Sequence, residues 1–297
     1  MFIKLIAVLI ILIGIAGLIL PIIPGILMIT LGILLLYRER HEEMSRVINE
    51  KAPTPFANFY NDFLHKIILP PHYVGIDWDF VKKEVHRSEH IDISDKSERA
   101  VNIRAALSVC IRKARSLADA KYFFIEKKIL QIGDDFIEIE GPVRFSTRKI
   151  PPFIKGAESL ALFVVTIGNG IEKEASLFTS GSDPLGGYLL DRIGSFAVES
   201  LAERLENRLR RNYSLLKKSV SSRFSPGYCD WPTEEQFKLA KVLDFSKAGV
   251  ELTEGCMMVP KKSISAMVAI ANEGIFKKFI SSCDICEKGD CEFRRNH

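Results

Sequence analysis

The chain has 297 residues, long for one minimal domain and suited to a large domain with appendages. Its 41 basic and 37 acidic side chains nearly balance, which argues against nucleic acid as the main partner, because phosphate binding calls for a concentrated basic surplus. Hydrophobic residues make up 47% and are unevenly spread along the chain.

Residues 5–36, LIAVLIILIGIAGLILPIIPGILMITLGILLL, carry no charge. As one straight helix they would run about 48 Å, well beyond a hydrocarbon core of about 30 Å. Pro21, Pro24 and Gly25 fall in the middle, where a missing amide and a fixed φ break a helix. The sequence therefore predicts a transmembrane or re-entrant helical hairpin over 1–37, with limbs at 3–20 and 25–37 joined by the PIIPG turn. Lys4 before the first limb and Arg38 and Arg40 after the second place both ends on the cytoplasmic side. Each limb is short for a full span, so a tilted or re-entrant hairpin that thins the bilayer is an alternative. A cleaved signal peptide would have a single apolar stretch, whereas here the run resumes after Pro24. A buried soluble hairpin fits poorly, since nothing polar interrupts either limb.

Residues 38–71 read as a cytoplasmic helical linker, opening with RERHEEMSR. Phe56, Phe59, Tyr60, Phe63 and Leu64 fall at helical spacing and can lie on a membrane surface or dock on the soluble domain. Pro70-Pro71 ends regular structure and marks a boundary. Residues 95–120 follow as a helix carrying Val101, Ala105, Leu107 and Ile111. FIEIEG, 136–141, alternates apolar and acidic residues as a half-exposed strand does. SLALFVVTIGNG, 159–170, reads as a buried strand ending in a glycine turn. A long helix is predicted over 183–218, with Leu185, Leu189, Ile193, Ala197, Leu201, Leu205 and Leu209 near four-residue spacing. Its C-terminal half collects Arg204, Arg208, Arg210, Arg211, Lys217 and Lys218. Cations there complement the helix dipole, so a solvated basic face and an anion-binding surface are both open. VELTEG, 250–255, and KSISAMVAI, 262–270, read as strands flanking MMVP. Long helices with non-alternating strands give an α+β class, a twisted and mostly antiparallel sheet with long helices, preceded by the α-helical membrane hairpin.

RFSPGYCDWPTEEQ, 223–236, is a stiff stretch with a cation at its entrance. Pro226 fixes φ and Gly227 supplies the positive φ of a type II turn, so backbone groups there can be approached closely. Arg223 can fork onto a carboxylate. Thr233 and Gln236 stand at capping-box spacing ahead of a helix. An ordinary strand-to-helix connector with an exposed arginine has the same sequence features.

Four stretches, TIGNGIEKE, DRIGSFAVESLAERLE, RFSPGYCDWPTEEQ and GVELTEGCMMVPKKSISAM, come in the order and at the separations of a known family. Residues from about 159 to 270 resemble the activation domain of vitamin B12-dependent methionine synthase. The domain suggested by that resemblance is 72–280. The resemblance implies S-adenosylmethionine binding, with Arg223 meeting the methionyl carboxylate and the loop at Ser225, Gly227 and Tyr228 reading the adenosine. It also implies an acidic residue in an early Ile-Asp-Trp stretch; Ile76-Asp77-Trp78 makes Asp77 the candidate for the ligand's ammonium. A further acid on the long helix is not assigned, with Glu203, Glu206 and Asn207 all near the place. The family's reaction is reductive methylation of cobalamin on a partner. No D-x-H-x-x-G stretch surrounds any of His41, His65, His72, His86, His90 or His297, so the corrinoid is expected on another protein, such as cobalamin-dependent methionine synthase.

Residues 281–297 form a cysteine-rich tail. Cys283, Cys286 and Cys291 can share one metal. Zinc would need a fourth ligand from Cys256, Cys229, Cys110 or His297; three thiolates and an open position would suit an iron–sulfur cluster; a reduced tail without metal is the third option. Disulfides are not expected on the cytoplasmic side. Cys110 reads as core, and Cys256 precedes a Met pair suited to packing. The functional expectation is a membrane-tethered S-adenosylmethionine-binding module for a corrinoid protein. The alternatives are a non-enzymatic membrane scaffold and an iron–sulfur electron-transfer adaptor.

Overall fold

A computed structural model describes residues 74–91, 94–141 and 143–276. All belong to one unit, which begins at Val74. The hairpin at 1–37, the linker at 38–71 and the tail thiols Cys283, Cys286 and Cys291 lie outside the described residues. Among the described residues no helix is long and apolar enough to cross a membrane.

Two helices come first. α1 (Trp78–Ser88) starts at Asp77, whose carboxylate accepts from the Asp79 and Phe80 amides. α2 (Glu98–Leu117) is capped by Ser97. The chain then forms β1 (Lys121–Ile132), β2 (Phe136–Ile139), β3 (Val143–Ser146) and β4 (Ala157–Thr166). α3 (Gly170–Ser180) and the 32-residue α4 (Pro184–Leu215) follow. β5 (Lys218–Val220), α5 (Glu235–Val242), the short hairpin β6 (Glu251–Leu252) and β7 (Met258–Val259), and β8 (Ser263–Asn272) complete the order.

The main sheet has the order β3-β2-β1-β4-β8-β5, with every neighbouring pair antiparallel. The α+β expectation holds, including the antiparallel sheet. β4 explains why the sheet is central. Ala161, Phe163 and Val165 face a core shared with α1 to α4, while Leu160, Leu162 and Val164 face a second core containing Phe145, Trp231 and Leu239. A strand covered on both faces has no polar alternation, which is why SLALFVVT reads as a continuous apolar run.

α4 begins at Asp183, which accepts from the Gly186 amide, with Pro184 in the first turn. Gly187 allows its close approach to α3, since a Cβ there would sit 2.7 Å from the Thr179 amide and 2.8 Å from the Ala175 carbonyl. Leu189, Ile193, Ala197, Leu201, Leu205 and Leu209 are buried as the spacing predicts, but Leu185 in the first turn is 48% exposed.

Three further expectations are corrected. The strand expected over 250–255 is only Glu251–Leu252, because the Thr253 amide and hydroxyl already bond Met257 to close a turn. The capping box at Thr233 does not form: α5 is preceded by Glu234 in helical conformation with no side-chain cap. The basic C-terminal half of α4 is not a uniformly solvated face: Arg210 and Arg204 are ion-paired to Glu206 and Asp77, and the helix ends at Leu215, so Lys218 lies in β5, paired to Glu158.

Candidate functional site

β5 and the segment after it run along the edge of β8, and a shift of register there places the arginine. Val220 lies opposite Ile270 and Phe224 opposite Met267, four residues advanced on one strand against three on the other. In unbroken antiparallel pairing residue 223 would face Met267 and the second apolar core. The extra residue, in effect a bulge, puts Phe224 there instead. Arg223 turns to α4, where its Nη2 donates to Glu199 Oε2 at 2.8 Å and its Nε lies 3.8 Å from Glu206 Oε2.

Glu199, Glu206 and Arg210 fall on one stripe of α4, seven and four residues apart. Arg210 Nη2 donates to Glu206 Oε1 at 2.9 Å and to the Ser221 carbonyl at 3.1 Å, so Glu206 is held between two guanidinium groups. Burial pushes the Glu206 carboxyl above its ordinary range despite Arg223 and Arg210. Burial disfavours the Arg223 cation, but Glu199 and Glu206 outweigh it and hold its pKa up. Tyr228 contributes in the same direction.

The turn itself matches the sequence expectation. The Tyr228 amide donates to the Ser225 carbonyl at 3.2 Å, and Gly227 has φ +90°. A second turn brings the Trp231 amide to the Tyr228 carbonyl at 3.1 Å, and the Gly227 amide donates to the Trp231 carbonyl at 2.7 Å. Trp231 is buried beneath, edge-on to Phe145 at 5.4 Å between ring centroids. Gly227 and Tyr228 stay exposed at the tip.

Asp230 clamps this loop to the segment after β3. Its carboxylate accepts from the Arg148 amide at 2.6 Å, from Thr147 Oγ1 at 2.8 Å and from the Lys149 amide. Burial pushes the Asp230 carboxyl up, but these hydrogen bonds outweigh burial and hold its pKa below the ordinary value. A carboxyl depressed in the folded state stabilises it above the unfolded pKa of about 4 and loses that contribution as pH falls through the folded value. Asp230→Asn should therefore lower the urea midpoint at pH 7, with the gap from wild type narrowing below pH of about 4. A gap constant with pH would mean that the carboxylate charge is not what clamps the loop.

Asp77, the cap of α1, meets α4 on another face. Its amide donates to Ser200 Oγ at 2.9 Å, and its Oδ2 lies 3.9 Å from Arg204 Nη1. At about 100° per residue, Ser200 and Arg204 are about a third of a turn around the helix from Glu199 and Glu206. Asp77 and Arg223 thus flank the same two turns of α4, with Glu203 and Asn207 between them. The structure does not bring Asp77 into the Arg223 cluster, and its Oδ1 is engaged as the α1 cap.

Sequence reasoning missed Glu199 and Asp230, although Glu199 could have been found from its heptad spacing to Glu206. Cys110 is buried as expected; Cys256 is buried too, but Met257 beside it is exposed, against the packing expected of the Met pair. Among the described residues no three His, Cys, Asp or Glu side chains gather as a metal site.

Residues 150–275 match the family described as vitamin B12 dependent methionine synthase, activation domain. The matched activation-domain region takes in β4, α3, α4, the 223–236 loop and β8, and so contains all four stretches that carry the resemblance. α1 and Asp77 fall outside it. A solved structure, the MetH reactivation domain bound to AdoHcy, is similar with a TM-score of 0.49 and 18% identity, covering 70% of this chain and 76% of that one. No curated protein matches.

Proposed function

We propose that this chain is an S-adenosylmethionine-binding module that supports reductive methylation of cobalamin on a partner corrinoid protein, such as cobalamin-dependent methionine synthase. The observation that carries the reading is the Ser225–Tyr228 turn. It lies inside the activation-domain match and offers peptide groups at its exposed tip with the Arg223 guanidinium nearby. The sulfonium ligand supplies the methyl group; the residues of this chain bind and orient it. Arg223 takes the methionyl carboxylate, and Ser225, Gly227 and Tyr228 supply the adenosyl contacts. Asp77, across α4, is the ammonium partner in this reading. A loop fixed by Asp230 and Trp231 loses little entropy on binding main-chain to ligand. Residues 5–36 tether the module to a membrane, with the domain on the cytoplasmic side.

Titration of the full chain with S-adenosylmethionine by calorimetry tests this. Arg223→Lys keeps the charge toward Glu199 and Glu206 but loses the planar fork, and should weaken binding about tenfold. No ligand heat from the wild-type chain would defeat the proposal. One observation favours a second reading, a non-enzymatic scaffold: Arg223 is already engaged inside the chain by Glu199. A scaffold should still support a corrinoid-dependent pathway in cells when Gly227 is replaced by Val, whereas a ligand site should not.

A further inference from the structure

The bulge that aims Arg223 is built around a hydroxyl. In a regular antiparallel ladder each hydrogen-bonded pair of residues exchanges two main-chain bonds. Continuing the β5 register past Val220 and Ile270 makes Ser221 and Ala269 such a pair, and the Ser221 amide does donate to the Ala269 carbonyl at 2.9 Å. The return bond does not go to the Ser221 carbonyl. The Ala269 amide donates instead to Ser221 Oγ at 2.8 Å, and that hydroxyl donates to the Ser222 carbonyl at 2.8 Å. The released Ser221 carbonyl accepts from Arg210 Nη2 at 3.1 Å, the same nitrogen that donates to Glu206 Oε1. Main-chain pairing resumes at Phe224, whose amide and carbonyl both bond Met267. Ser222 and Arg223 together therefore stand against Val268 alone.

Ser221 is 5% exposed, so its neighbours must find their hydrogen bonds inside the protein. With a methyl in place of the hydroxyl, the acceptor left beside the Ala269 amide is the carbonyl of residue 221. Drawing that carbonyl into the ladder takes it from Arg210 and extends the regular register, in which residue 223 faces Met267 and the second apolar core. A guanidinium is not stable there unpaired, so the segment beyond 222 would come off the edge of β8 and carry Arg223 away from Glu199 and Glu206.

We propose that Ser221 is a positioning residue for the ligand site: its hydroxyl stands in for its own carbonyl in the ladder, which frees that carbonyl for Arg210 and directs Arg223 to α4. The inference rests on the binding reading above for what Arg223 meets once it is aimed; the register role itself needs no ligand.

The test compares Ser221→Ala and Ser221→Thr in the full chain. Arg223 is modified with phenylglyoxal without ligand and followed by peptide mass spectrometry. Labelling should be about fivefold faster in Ser221→Ala than in wild type, the protection given by a partly exposed ion pair, and Ser221→Thr should match wild type. Arg192, paired to Glu89 near the start of α4, is the reference; a parallel acceleration there would mean general loosening and would overturn the role. Packing alone gives the opposite order, because alanine fits wherever serine does while threonine adds a methyl at a buried position. Wild-type labelling in Ser221→Ala, or equal acceleration in both variants, therefore overturns the proposal. Calorimetry with S-adenosylmethionine should show binding weakened about tenfold in Ser221→Ala and retained in Ser221→Thr. Faster labelling with unchanged affinity would mean that the ligand does not meet Arg223, which overturns the assignment of Ser221 to the ligand site. If the wild-type chain binds no S-adenosylmethionine, the binding reading fails and the labelling rates alone decide the register role. Ser221→Cys, close in size but with a weakly accepting sulfur, should behave like Ser221→Ala and serves if the alanine variant does not fold.

Discussion

Gly227→Val should lose all measurable S-adenosylmethionine binding while the sheet and helices remain folded. The φ of +90° at this position is strained for any side chain, and a β-branched one tolerates it worst. A Cβ there would also stand 3.2 Å from Thr233 Oγ1, before the valine methyls are added. The turn must open, and opening it breaks the 2.7 Å bond from the Gly227 amide to the Trp231 carbonyl. Strain of this kind costs about 2 kcal/mol, which for a domain of this size lowers the thermal midpoint by about 5 °C. Because Gly227 is at the exposed tip, the damage stays in the loop, and far-ultraviolet circular dichroism should be unchanged. Calorimetry and a thermal melt on the same preparation separate the effects. Wild-type affinity in a protein with a lowered midpoint would mean the ligand does not contact this turn. Thr233→Ala added to Gly227→Val relieves the crowding but not the φ, so it should not restore binding.

The same residues show what was legible in the sequence. β4 and β8 were visible because burial on both faces leaves unbroken apolar runs, and α4 because one apolar stripe repeats through most of its length. The Pro226-Gly227 turn was visible because proline and glycine narrow the backbone choices locally. β1 was not. Its first eight residues pair with β4 and its last few with β2, with a register shift between Ile129 and Gln131. KYFFIEKKILQI serves two environments in succession and shows no single period. The orientation of Arg223 was equally hidden, because it follows from one extra residue between Val220 and Phe224, a property of pairing with a distant strand. The capping box at Thr233 failed for a related reason. Thr233 and Glu234 are already the middle of a turn that the Glu235 amide closes on the Pro232 carbonyl, and the Thr233 hydroxyl faces Gly227. Local spacing proposes a cap, and the tertiary path of the loop decides whether it forms.

Trp231→Ala should be the most destabilising single change in the loop, by about 3–5 kcal/mol. The indole is 1% exposed and fills the space between the loop and Phe145, so truncation removes a large apolar contact and leaves a cavity beneath the turn. Its Nε1 is buried and has no hydrogen-bond partner among the described residues. The loss is therefore one of packing, and Trp231→Phe should cost only about 1–2 kcal/mol, the share due to the smaller ring. Urea unfolding of both variants measures this. Equal destabilisation by Phe and Ala would show that the indole N–H, not the ring, carries the energy. The binding consequence follows from the same geometry. Both main-chain bonds that close the loop end on residue 231, so a floor that collapses moves the Gly227 peptide, while a floor that shrinks slightly does not. Trp231→Phe should accordingly keep S-adenosylmethionine affinity within about threefold of wild type, and Trp231→Ala should lose it along with the shape of the turn.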